Sequence, residues 1–445
     1  MSQANRRRKH RRKGATSRKS KNRRPSNRRY SRHQTSEKSK KGKPKASIFD
    51  RFQSRFCRKN PKVGRVKTLP QVQTIDLNTL LNGSLEYIPA LFSFYPELIG
   101  EIPWISLRST VLPSVPKRLQ RSQHFFDSNY IYMKNESLDT DKISDNQARK
   151  LEFLLGEVLG LGAKKILGFS TVGSSHALAV AQVAQILDLK CEDYLLRSEV
   201  DPAVVQKTLE MKELGAKLNF YSSVKSLERA IKWKAYFSKW NHSVVLPFDG
   251  VCPISCLGYV NAMFELRENI RRAELPPVDY LFVPVESGTS LVGLELGRRI
   301  LGFEDLQIVG VQARHHIRFN LDALAANANQ ALEILNRSLK RPFKFHCLAS
   351  DFRVLRNYSM DSGKLEQKEL SRWTNRFLDL EGLGLDFSNN SRGLYAMSQF
   401  IGAKKLENKV FLFWNTFSGV KSNRFHYNLN SPDVPGPLKR WAKSA

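Results

Sequence analysis

The first seventy residues have almost no negative charge. They hold 27 Lys and Arg, opposed only by Glu37 and Asp50, a balance of +25. Residues 1–46 also have few apolar side chains, so burial cannot repay the entropy of ordering them. The segment 1–70 is therefore expected to be a disordered polybasic tail. It is short of aromatics too, with Tyr30 the only ring before Phe49. Charge without rings suits nonspecific, salt-sensitive binding to nucleic acid through counterion release. Anionic lipid, a nuclear import receptor or no dedicated partner are the other readings of the same charge.

Cysteine is scarce. The five are Cys57, Cys191, Cys252, Cys256 and Cys347, an odd and scattered set. That argues for reduced thiols and a cytoplasmic location rather than a disulfide framework. With a eukaryotic host the tail would also suit the nucleus. Cys252 and Cys256 have no second ligand pair at a suitable spacing, so no metal is expected. No apolar run approaches the roughly 18 residues of a membrane-spanning helix. No apolar core follows the N-terminal charges, which argues against a secretory signal.

Residues 71–445 have 46 basic and 39 acidic side chains, the balance of an ordinary folded body. Leu151, Leu154, Leu155, Val158 and Leu159 share one helical face, predicting a helix over 146–161. Strand patterns recur at 164–170, 242–248, 279–285, 307–312 and 409–414. Helical patterns lie between them, near 176–187, 202–214, 224–238, 258–272, 290–301, 323–339, 364–378 and 392–406. Such alternation predicts an α/β protein with parallel sheets.

In such folds ligands sit at the carboxyl ends of strands, against helix N-termini. Three loops have that position: TVGSSH at 171–176, FDGVCPISCLGY at 248–259 and ESGTSLVGL at 286–294. Small and hydroxylated residues opening a helix can cradle a phosphate. Each loop alone reads equally well as a helix cap with tight packing.

In order along the chain these segments resemble one family. IYMKNESL at 131–138 is similar to YIKREDL, DNQARKLEFLL to GNKxRKLEFLL, and STVGSSHALA to GGIQSNHxRA. PFDGVCPISCLGYVNAMFEL is similar to PxGGSxxxGxxGYxxAxxEL, SGTSLVGL to SGGTxAGL, and FWNTFSGV to the HTGG segment. These patterns belong to the pyridoxal-phosphate-dependent 1-aminocyclopropane-1-carboxylate deaminase and D-cysteine desulfhydrase family. The resemblance covers about residues 88–420.

It implies a two-domain, parallel-sheet fold like the tryptophan synthase β subunit, with pyridoxal phosphate between the domains. The implied division is a large domain of 71–149 and 261–430, a small α/β domain of 150–260 and a C-terminal extension of 431–445. It implies chemistry on small amino acids and a homodimer. It places Ser174 at the family's catalytic serine. Cofactor-binding positions fall on Asn146, Ser175, Ser287, Gly288, Thr289, Ser290 and Thr416.

The departures fall at cofactor-facing positions. The family's imine-forming lysine is Gln147 here. An amide nitrogen, its lone pair delocalised, cannot attack an aldehyde as a neutral lysine amine does. The family's tyrosine near the C-terminal end is Asn389, and HTGG survives as Asn415-Thr416-Phe417-Ser418. Three readings stay open. The chain is a catalytically impaired homologue that binds a small amino-acid-like ligand or regulates, with any pyridoxal phosphate held non-covalently. Or it is an active deaminase or carbon–sulfur lyase in which Lys150 or Lys134 replaces the missing amine. Or it is a nucleic-acid-associated protein tethered by its tail. The six tryptophans show no shared spacing and read as core or surface anchors rather than a stacking platform.

Overall fold

The computed structural model describes residues 88–107, 114–136, 143, 147–238, 242–312, 320–356, 358, 367–383, 385–386, 389–417 and 431–442. The polybasic segment 1–70 and Asn146 lie outside these residues.

Short helix α1 (Ala90–Phe94) precedes the first hairpin, β1 (Lys117–Arg118) and β2 (Tyr130–Asn135). Then comes α2 (Gln147–Gly160), the helix that the leucine pattern predicts. Strands and helices alternate next: β3 (Lys165–Thr171), α3 (Ser175–Ile186), β4 (Lys190–Leu196), α4 (Pro202–Glu213), β5 (Lys217–Tyr221), α5 (Val224–Phe237) and β6 (Ser243–Val245). The long helix α6 (Pro253–Arg271) leads to β7 (Tyr280–Val285), α7 (Thr289–Ile300), β8 (Gln307–Gln312) and α8 (Leu321–Ser338). The chain ends with β9 (Arg353–Leu355), α9 (Gln367–Glu381), α10 (Asn390–Lys404), β10 (Val410–Asn415) and α11 (Gly436–Ala442).

Two sheets result. One has the order β5-β4-β3-β6 and is wholly parallel. The other has the order β1-β2-β10-β7-β8-β9 and is parallel except for the β1–β2 hairpin. The fold is thus α/β with mostly parallel sheets, as the alternation predicts. Central strands β7 and β8 read as unbroken apolar runs because helices cover both faces.

Helix α6 links the two halves and is buried around most of its circumference. It crosses α2 so closely that a Cβ at Gly258 would lie 1.9 Å from the Arg149 carbonyl oxygen. Only glycine permits that approach. Beside it, Arg149 is fully buried between Glu136 (Nε to Oε2 2.7 Å) and Glu265 (Nη2 to Oε2 2.9 Å). Trp414 Nε1 donates to Glu136, and Asn261 Nδ2 donates to Glu265 at 2.9 Å. The guanidinium thus ties α2 to β2 and α6. It fixes the height and rotation of α2, and so the place of its first residue, Gln147.

Among the described residues, no helix is long and apolar enough to cross a membrane.

Candidate active site

Gln147 opens α2 and is buried. Its Oε1 accepts from Lys150 Nζ, one turn on, at 3.3 Å, and lies 3.3 Å from His176 Nδ1. An amide oxygen cannot donate, so the second contact needs the imidazole proton on Nδ1. His176 Nε2 is then a buried lone pair without a hydrogen-bond partner among the described residues. Burial foremost, and the Lys150 charge next, lower the His176 pKa to about 3, so its ring is neutral.

Ser174 caps α3, its Oγ accepting from the Ala177 N–H at 3.4 Å. The same hydroxyl donates to Asp249 Oδ1 at 2.9 Å. Asp249 sits in the turn Phe248–Gly250 that follows β6, and has φ 49°. Left-handed backbone is costly for a residue with a Cβ. The family pattern PxGGS has glycine at this place. Burial, then the nearby Glu286 charge, push the Asp249 carboxyl up to about 6, while the Ser174 bond and the Lys150 charge oppose them. Gly250 beside it must lack a side chain, because a Cβ would meet the His176 ring at 2.3 Å. Gln147, Lys150, Ser174, His176, Asp249 and Glu286 therefore form one polar group. It stands where the carboxyl ends of β3, β6 and β7 meet the start of α2.

Ser175 begins α3, and its Oγ accepts from Lys207 Nζ of α4 at 2.7 Å. A cation thereby stands at that helix N-terminus.

The loop after β7 has the form expected of an anion cradle. Gly288 has φ 88° and caps α7. Thr289 and Ser290 are buried, and the Ser287 and Thr289 hydroxyls are 3.3 Å apart. Backbone N–H groups of the first turn, with three hydroxyls, suit a phosphate.

Thr416 belongs to another cluster, at the carboxyl end of β10. Its N–H and Oγ1 both point to Asn390 Oδ1, at 2.9 and 3.2 Å, and Asn390 Nδ2 donates to Asp386. Asn389 N–H donates to Asp386 Oδ1 at 2.6 Å, so the position of the family's tyrosine serves as part of a helix start. Lys134 Nζ bonds the Ser114 carbonyl and, at 2.9 Å, the Ser114 hydroxyl.

Sequence reasoning missed Asp249 and Glu286. The signal for Asp249 was a carboxylate at a glycine position of PxGGS. Glu286 directly precedes the phosphate-loop serine and had no signal of its own. Cys252 and Cys256 are buried, and their thiols contact the Gly250 and Cys252 carbonyls at 3.8 and 3.4 Å. Among the described residues, no three His, Cys, Asp or Glu side chains come together as a metal site.

Two parallel α/β sheets, with a serine-capped helix from one and a hydroxyl-rich helix start from the other, define the class of fold that carries a phosphorylated cofactor. The chain belongs to the pyridoxal-phosphate-dependent enzyme family, which matches residues 113–415. A Pyrococcus horikoshii protein named "Putative 1-aminocyclopropane-1-carboxylate deaminase" is 27% identical over 345 residues, covering 76% of this chain and 96% of its own. The "Bifunctional D-cysteine desulfhydrase/1-aminocyclopropane-1-carboxylate deaminase, mitochondrial" of Arabidopsis thaliana is 27% identical over 179 residues, 38% of this chain and 44% of its own. The crystal structure of an ACC deaminase homologue shares the fold with TM-score 0.59 at 24% identity, over 74% of this chain and 95% of that one.

Pyridoxal phosphate fits this chain in part. Ser287, Gly288, Thr289 and Ser290 suit its phosphate, whereas Gln147 offers no amine for its aldehyde.

Proposed function

We propose that this protein binds a small amino-acid-like ligand in the cleft lined by Gln147, Ser174, Asp249 and Ser287, without lysine-based catalysis. Pyridoxal phosphate, where it binds, is held non-covalently by Ser287–Ser290. The role is ligand binding or regulation on a scaffold whose two sheets form a small and a large lobe.

The observation that carries this reading is the engagement of Gln147. Its amide oxygen lies 3.3 Å from both Lys150 Nζ and His176 Nδ1, and its residue is buried. It is built into the floor of the site and is no exposed remnant. Asp249 and Glu286 support the ligand class. Each carboxylate comes from a different lobe, and the charge of one raises the pKa of the other. An ammonium group placed between them would relieve that repulsion. The Ser175–Lys207 pair and the start of α7 offer places for the ligand's carboxylate or phosphate.

The test is the visible spectrum of the purified protein with added pyridoxal phosphate, followed by borohydride reduction and peptide mapping. The expected result is no chain-bound pyridoxyl group, no sulfide from D-cysteine and no ammonia from the cyclopropane amino acid. A reduced pyridoxyl group on any lysine, with turnover, would overturn the reading.

One observation favours a second reading, in which Lys150 supplies the amine. Its Nζ reaches the tip of the side chain at the family's lysine position. Borohydride labelling mapped to Lys150 would select it. Lys134 is the weaker candidate, because its Nζ is already engaged by Ser114.

A further inference from the structure

Helix α5 buries Leu227 and Ile231 against Leu167, Phe169, Tyr194 and Val245, and that stripe accounts for its attachment. Its outward side has a different composition. Lys225, Arg229, Lys232, Trp233, Tyr236 and Phe237 are all exposed. The spacing of Lys225, Arg229, Lys232 and Tyr236 places them in one row, with Trp233 and Phe237 alongside. Trp233 is 69% and Tyr236 68% exposed. The Trp233 and Phe237 rings lie 5.3 Å apart, and Tyr236 meets Phe237 edge-on at 5.2 Å. Packing of the helix explains none of these three rings. The neighbouring Lys234 is occupied, at 3.5 Å from Glu192. Lys225, Arg229 and Lys232 remain as exposed cations beside the rings.

We infer that this face of α5 docks single-stranded nucleic acid, with bases on Trp233 and Tyr236 and phosphates on Lys225, Arg229 and Lys232. Charge complementarity supports a polyanion. Rings interleaved with cations suit a strand whose bases are free to stack, which a duplex does not offer. The polybasic segment 1–70 points the same way. It supplies phosphate-binding charge at +25 but has only Tyr30 as a ring before Phe49. Helix α5 presents a row of rings beside cations of its own. A lipid surface fits less well, because an inserting helix presents a continuous apolar stripe and this row is broken by cations.

The test uses the full chain and a fluorescein-labelled twenty-nucleotide oligouridylate. Anisotropy is read at low salt and at about 0.3 M salt, where the tail's electrostatic binding is weakened. The pair W233A/Y236A is expected to lower affinity at the higher salt by about thirtyfold or more, since two stacked bases lose their platform. The variant K225E/R229E/K232E is expected to lower affinity at both salts. Photocrosslinking with 5-iodouridine is expected to label the peptide containing Trp233. All of the substituted residues are exposed, and an unchanged melting temperature would show that the fold is kept. Unaltered affinity of W233A/Y236A without a crosslink in 224–238 overturns the proposal. So does loss of binding to phosphatidylserine vesicles in that variant while its oligouridylate binding stays intact, which assigns the face to lipid.

Discussion

Ser174 and Asp249, 75 positions apart, meet through a 2.9 Å hydrogen bond in which the serine hydroxyl donates to the carboxylate. The bond closes the loop that caps α3 onto the turn after β6. It also holds a carboxylate in left-handed backbone beside the first residue of α2. Ser174, expected from the resemblance to stand at the family's serine, is thus bonded to a carboxylate where the resembled pattern PxGGS has glycine.

This partner sets a pH dependence. Folding raises the Asp249 pKa from 3.8 to about 6. Between these values the folded chain binds more protons than the unfolded one, so stability falls as pH rises through this window. Asp249→Asn removes the ionisation. Its melting temperature relative to the parent should be higher at pH 8 than at pH 4. A constant difference across that range would contradict the assignment. Asp193, buried under Gly168 and pushed up to about 7 by burial above all, gives the same sign over a wider window. Asp193→Asn should add to the effect, because the two sites share no hydrogen bond in the structure.

Restoring the amine should need more than one change. Gln147→Lys puts a lysine beside Lys150, whose Nζ already reaches this position and whose charge acts on the Asp249 carboxyl, so the new ammonium is expected to pair with Asp249 as well. Pairing holds a lysine in its protonated, non-nucleophilic form. Q147K alone should therefore capture pyridoxal phosphate poorly. Q147K/D249G should give a yellow protein whose label survives borohydride and maps to position 147. Equal labelling of both variants would show that Asp249 is no barrier.

The Arg149 group should dominate the stability of the core. One guanidinium serves Glu136 and Glu265, and all three side chains are buried. Arg149→Ala leaves two buried carboxylates without their cation and should cost about 3–5 kcal/mol in urea unfolding. The triple change R149M/E136Q/E265Q should recover most of that loss, because the charges leave together. A cost below about 1 kcal/mol for Arg149→Ala would mean that solvent reaches the group.

Two glycines should respond in opposite directions. At Gly258 a Cβ would collide with the Arg149 carbonyl, so Gly258→Ala must push α6 from α2, at about 1–3 kcal/mol or more. At Gly402, exposed within α10, nothing lies within 4 Å of the added carbon. Gly402→Ala should stabilise by about 0.5–1 kcal/mol through the helix preference of alanine. Thermal unfolding of the two variants checks the pair.

The parts of the fold with apolar periodicity were legible. The windows for α2, α4, α5, α7, β7, β8 and β10 fall within a residue or two of the observed elements. Strands β2, β4 and β5 were not read as strands. β4 places Cys191, Glu192 and Asp193 consecutively in the interior, and Glu192 is stabilised there by Lys165, Tyr194 and Asn219. Interior charges with distant partners erase the pattern that sequence reading relies on. β2 is obscured in the same way by buried Lys134, and β5 is short and only half-buried.

Local motifs single out Gln147, Ser174 and the Ser287–Ser290 turn as the expected site. The pairing of Ser174 with Asp249 was not legible, because the two meet only through the order of the β3 and β6 strands. Trp233 reads from the sequence as a core or surface anchor, and the structure places it on the exposed side of α5, away from Leu227 and Ile231.

Trp441 of α11 lies against Phe220 of β5, ring centroids 6.1 Å apart, with Arg197 over its other ring surface at 5.9 Å. Among the described residues β5 is the terminal strand of its sheet, and an edge strand is a template on which another chain could add. Helix α11 packs its Trp441 onto a side chain of that strand. A chain shortened before Pro435 would keep its cleft and yet be prone to join its neighbours strand to strand.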